Sequence, residues 1–115
     1  MKFKIENENV ICYITPDNKL YEQSKLYRID LSERKMFLDT IEMAWDLPEE
    51  IECQIVNQGI KDSNMFIESN YSIIFSYRNK GDDKNVAKYE RLLEDNKKIR
   101  EFLNEYKLKY CNFDL

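Results

Sequence analysis

The sequence predicts an α+β fold in a single compact domain: an N-terminal β-hairpin, joined by a candidate third strand, packed with three to four helices, the last of them long. Three observations carry this. The first fifteen residues alternate apolar and polar, the last thirty repeat apolar residues every three to four positions, and the composition is that of a packed globule. Of 115 residues, 43% are hydrophobic and 35% charged, with eight tyrosines and six phenylalanines. A chain of this size buries one core, and one so rich in aromatics does not stay disordered.

In MKFKIENENVICYIT, Phe3 and Ile5 alternate, ENEN interrupts, and Val10, Cys12 and Ile14 alternate again. That is a hairpin closed over Asn7 to Asn9 and ended by Pro16-Asp17-Asn18. Leu26, Tyr27 and Ile29 then favour a third strand over residues 25 to 30, although Leu20, Ser24 and Tyr27 would also suit a helical face. Ser32 fits an N-cap, with Leu31 and Met36 placed as a hydrophobic staple. A helix over residues 33 to 46 is expected to follow, because Phe37, Ile41, Ala44 and Trp45 fall on one stripe.

Pro48 breaks that pattern and suits the first turn of a new, short helix with Glu49 and Glu50 at its positive end and Gly59 as its C-terminal cap. The alternation of Ile51, Cys53 and Ile55 fits a strand over 50 to 58 equally well. Asp62 or Ser63 would cap the next helix, carrying Phe66, Ile67, Asn70, Tyr71, Ile74 and Phe75, and Gly81 ends it. The final helix, from Asp83 to about Tyr110, has no Gly or Pro, and it pairs Glu94 with Lys98 and Glu105 with Lys109. Tyr89, Leu92, Asn96, Ile99, Leu103, Tyr106 and Tyr110 make a heptad seam within it, expected to pack across the domain. A monomer is expected in preference to a coiled-coil dimer.

The residue inventory excludes much chemistry. There is no histidine, so the usual general base, nucleophile activator and zinc ligand are missing. Cys12, Cys53 and Cys111 are odd in number and far apart, which suits reduced, partly buried thiols better than a disulfide framework or a zinc site. Gly59 and Gly81 are too distant to form a phosphate-cradling loop. Asp30 with Glu33-Arg34-Lys35 resembles the carboxylates and lysine of metal-dependent nucleases, but the spacing is too common to count as a signature. Asp82-Asp83 is explained by the start of the last helix. No catalytic residue, metal site or cofactor is expected.

No apolar run reaches the roughly 20 residues needed to cross a bilayer, and Glu6 and Glu8 stand where a secretory signal would be apolar. Cytoplasmic residence is expected, with no membrane partner. The net charge of -4 argues against direct nucleic-acid binding.

The charge is unevenly placed. From Met36 to Ile60 there is no lysine or arginine, while Asp39, Glu42, Asp46, Glu49, Glu50 and Glu52 contribute six negative charges, more than the net charge of the whole chain. Such a patch raises the encounter rate with a cationic partner. Trp45, among these carboxylates, is expected to face the core on the stripe of Phe37 and Ile41.

In size, acidity and lack of catalytic equipment the chain resembles the immunity proteins of bacterial toxin systems, including those of contact-dependent growth inhibition. The resemblance is one of general character and covers no specific motif. It implies a cognate toxin as partner, a basic nuclease domain whose substrate channel the six carboxylates would cover. The competing expectations are a small regulatory adaptor and a metal-dependent hydrolase whose site assembles only in the fold.

Overall fold

The structure, a computed structural model, describes residues 2–14, 27–38 and 41–111. Five strands precede two helices: β1 (Lys2–Glu6), β2 (Asn9–Ile14), β3 (Tyr27–Asp30), β4 (Lys35–Leu38), β5 (Ile41–Asp46), α1 (Glu49–Asn79) and α2 (Asp83–Tyr110). The strands form one antiparallel sheet in sequence order, with β1 and β5 at its edges among the described residues. The α+β class, the first hairpin, the third strand and the long last helix are as expected. The number of helices is not: there are two among the described residues, rather than three to four.

The first hairpin closes through Asn7 and Glu8, both at positive φ (49° and 69°). That is the backbone of a two-residue type I′ turn, whose twist matches the flanking strands and which asparagine tolerates better than most residues. The expected turn at Pro16–Asn18 and the stretch 19–26 lie outside the described residues.

The expected helix over 33–46 is instead the hairpin β4–β5. Lys35 stands opposite Asp46, Met36 opposite Trp45 and Phe37 opposite Ala44, and an irregularity then sets Leu38 opposite Ile41. The segment Met36, Leu38, Ile41, Met43, Trp45 carries a period of two on each side of a short break. Cross-strand pairing selects that period over the helical stripe, because the sheet edge at β3 satisfies the backbone as well as a helix would. Ser32 does not cap a helix; its hydroxyl accepts from the Val10 amide at 3.1 Å and ties the β3–β4 turn to β2.

Pro48 is the N-cap residue of α1. The short helix expected to end at Gly59 and the later one expected to start at Asp62 or Ser63 are one continuous helix of 31 residues. At 1.5 Å per residue it is about 46 Å long. Gly59 serves as a point of close approach. A Cβ there would lie 2.6 Å from Phe3 Cζ and 2.7 Å from Leu103 Cδ1, so α1, β1 and α2 meet at that glycine. Asp62 instead accepts from Gln58 Nε2. Gly81, at φ 69°, does end the helix, and Asp82 caps α2 by accepting from the Asn85 amide at 3.2 Å.

The antiparallel helices cover one face of the sheet. The main core joins Val10, Cys12, Ile14, Ile29 and Leu31 from the sheet side with Ile55, Val56, Ile99, Leu103 and Tyr106 from the helices. A second, smaller cluster of Ile67, Ile74 and Leu93, flanked by Val86 and Tyr89, holds the far end of the helical hairpin together. The heptad seam of α2 therefore faces α1 and the sheet, with Leu93 replacing the expected Leu92, which is 42% exposed. No described helix is long and apolar enough to cross a membrane.

Because Phe3 and Leu103 already occupy the space beside Gly59, Gly59→Val is expected to lower the unfolding free energy by ~1–3 kcal/mol through overpacking. Urea denaturation followed by circular dichroism measures it.

Candidate partner-binding surface

The acidic run divides when the chain folds. β5 ends at Asp46, Leu47 is buried, Pro48 turns the backbone, and Glu49 and Glu50 open α1. Asp46, Glu49 and Glu50 are exposed at this corner of the sheet. Asp46 faces Lys35 across the hairpin with an Nζ to Oδ1 distance of 2.5 Å, and this ammonium holds its carboxyl below the usual range. Glu49 and Glu50 lie in the first turn of α1, where the helix dipole favours negative charge. Glu42 is on β5, and its side chain, like that of Trp45 and all of Asp39, lies outside the described residues.

Glu52 departs from the expectation. It is fully buried and cannot contribute to an exposed acidic face. The buried positions of α1 run 52, 55, 56, 59, 63, 67, 70 and 74, so Glu52 begins the core stripe of the helix. That three-and-four spacing is legible in the sequence once the helix is known to be continuous.

Arg34 meets this buried carboxylate in a two-pronged pair: Nη2 donates to Oε1 at 3.1 Å and Nε to Oε2 at 3.3 Å. The guanidinium carbon also stacks 4.0 Å above the centre of the Tyr110 ring. Arg34 sits at φ 57° in the β3–β4 turn, and its carbonyl accepts from the Leu47 amide at 3.1 Å. Tyr106 lies beside the pair with its hydroxyl buried and without a hydrogen-bond partner; burial, then the Glu52 charge, push its ionisation upward. Tyr106, Tyr110, Ser32 and Phe102 line a cavity of about 220 Å³ next to it.

Cys53 and Cys111 form a disulfide, with Cα atoms 5.5 Å apart and a sequence separation of 58. This corrects the expectation of three reduced thiols. Sequence separation is no guide here, because antiparallel packing of α1 and α2 returns the end of one to the start of the other. The bond joins those two ends one residue away from both Glu52 and Tyr110. Cys12 alone is a free thiol, buried in the core.

Of the residues that resemble a nuclease site, Asp30, Arg34 and Lys35 have structural partners. Asp30 is buried, and its two oxygens accept from the Glu33 amide and from Asn9 Nδ2, both at 3.1 Å. Among the described residues no group of three or more His, Cys, Asp or Glu converges so as to hold a metal ion. The arrangement at the corner can present charge to a partner. Compared with family models, with curated proteins and with solved structures, the chain matches none.

Burial pushes the Cys12 thiol from 9.0 up to about 12. Its contribution to stability is full below about pH 9, where the thiol is neutral in both folded and unfolded chains. Between the two values only the unfolded chain ionises, so stability falls as pH rises through that window. Tyr13, raised by its hydrogen bond to Glu6, and Tyr106, raised by burial, act in the same direction. A melting temperature that is flat from pH 7 to 9 and drops progressively above it is the expected outcome of a pH series. Over the flat range Cys12 should resist alkylation until denaturant is added.

Proposed function

We propose that the chain is a stoichiometric inhibitor of the immunity type, which binds a cognate basic toxin, a nuclease domain, and covers its substrate channel. The single observation that carries this reading is the exposed corner of Asp46, Glu49 and Glu50, within a stretch of 25 residues, Met36 to Ile60, that contains no lysine or arginine. Glu49 and Glu50 at the start of a helix, with Asp46 beside them held by Lys35 at the end of a strand, fix carboxylates at one corner, and fixed charge gives specificity and fast association with a cationic channel. Asp39 and Glu42 extend the same stretch. Glu52 supports the corner from inside through Arg34.

On this reading the protein acts in the cytoplasm of the producing cell, bound to its toxin, without cofactor or metal and without chemistry of its own. In a reducing compartment Cys53 and Cys111 would stand as neighbouring thiols. The gene for the toxin is expected beside that of the inhibitor.

Exchanging Asp46, Glu49 and Glu50 together for lysine is expected to weaken binding to the neighbouring toxin by a factor of about 100 or more, mainly through slower association, and to relieve inhibition. Surface plasmon resonance at two salt concentrations measures it. Binding unchanged by the three reversals would place the contact elsewhere.

A further inference from the structure

The opposite edge of the sheet carries a second feature that the acidic corner does not use. In β1 the register pairs Glu6 with Asn9, Lys4 with Ile11 and Lys2 with Tyr13, alternating with Ile5–Val10 and Phe3–Cys12. Beyond a two-residue turn the closing pair exchanges both backbone hydrogen bonds, and every second pair after it does the same. Val10 confirms the phase, because its carbonyl accepts from the Leu31 amide at 3.0 Å and its amide donates to Ser32 Oγ, both away from β1. Ile5 and Phe3, opposite Val10 and Cys12, therefore turn their own N–H and C=O groups to an edge on which no strand pairs among the described residues, the arrangement that accepts an added strand.

Beside that edge lies a groove of about 240 Å³, between the start of β1 and the middle of the helical hairpin. Its walls are Phe3, Phe66 and Leu92, and Phe66 and Leu92 are 55% and 42% exposed. Ser63, Asn70 and Asn96 contribute polar groups where the two core clusters separate. Asn70 is 93% buried (7% exposed), yet its Nδ2 has no hydrogen-bond acceptor. A buried donor left without a partner costs about 1–3 kcal/mol, which an incoming acceptor recovers. Lys2 and Lys4 are exposed: Lys4 lies over the Tyr13 ring on the outer face of the strand, where Glu6 is engaged by Tyr13 and Arg28, and Lys2, at the start of the strand, also lines the groove, as does Asp62.

The geometry points to a strand-addition site for an extended segment of a partner protein. The segment pairs with the free groups of Phe3 and Ile5. It alternates, setting carboxylates against Lys2 and Lys4 on one side and, on the other, side chains with an apolar stem and a carbonyl tip, as glutamine has. The stem packs on Phe66 and Leu92, and the tip accepts from Asn70 Nδ2. This site is independent of the acidic corner, which lies at the β5 edge, so either reading can fail alone.

Selection from a displayed library of random octapeptides tests it. Enriched peptides should alternate acidic residues with apolar or glutamine residues. In amide hydrogen exchange they should slow Phe3 and Ile5 by at least about tenfold while leaving Lys4 little changed. The exposed-residue variant Phe66→Glu/Leu92→Glu, shown to melt as the parent does, should lose at least about tenfold in affinity for them. No enrichment, enriched peptides of basic character, affinity indifferent to the double variant, or unprotected Phe3 and Ile5 amides would overturn the proposal. Phe3 and Ile5 protected without peptide, together with a dimer in sedimentation, would overturn it in favour of a second copy as occupant.

Discussion

Arg34 is the residue on which the two halves of the molecule turn. It stands in the left-handed region, which costs a side-chain-bearing residue about 1–2 kcal/mol, and it is held there from several directions. Its carbonyl receives the Leu47 amide, its guanidinium grips the buried Glu52 carboxylate, and its flat face lies on Tyr110. Each contact reaches a different element: the approach to α1, the first turn of α1, and the last turn of α2. A carboxylate with no exposure to water is tolerated only while its charge is compensated, so the start of α1 depends on the turn between β3 and β4. The Cys53–Cys111 disulfide closes the same junction from the helical side.

The parts of the fold visible in the sequence are those whose signals are local. The type I′ hairpin shows as alternation around ENEN, and α2 shows as twenty-eight residues without Gly or Pro, begun by Asp82 and preceded by Gly81. Residues 33–46 misled because Phe37, Ile41, Ala44 and Trp45 satisfy a helix while Met36, Leu38, Ile41, Met43 and Trp45 satisfy a strand. The choice was made by β3, which is not local to them. Gly59 and Pro48 both read as punctuation in the sequence; only Pro48 is so, since Gly59 is small in order to admit Phe3 and Leu103 rather than to end a helix.

The acidic surface was legible in part for the same reason. Counting charges along the chain finds Asp46, Glu49 and Glu50, which the fold does expose together, but it cannot tell that Glu52 points inward, because this depends on the phase of a helix that runs on through Gly59. The expected thiols fail similarly: Cys53 and Cys111 become neighbours only through the antiparallel packing of α1 and α2. What the fold adds is polarity, with carboxylates at the β5 edge and Lys2 and Lys4 at the β1 edge. The polar seam of Ser63, Asn70 and Asn96 falls between the two apolar clusters, where the sheet no longer covers the helices.

A double-mutant cycle on Arg34 and Glu52 measures how far the start of α1 depends on the β3–β4 turn. With Arg34→Met, Glu52→Met and the pair measured by urea denaturation, loss of Arg34 alone should cost about 3 kcal/mol by stranding a buried carboxylate. The double variant should then be more stable than the sum of the single losses allows, by about 2 kcal/mol or more. Losses that add to within about 0.5 kcal/mol would contradict the account, showing that the two residues act independently and that the junction is held by packing and the disulfide alone.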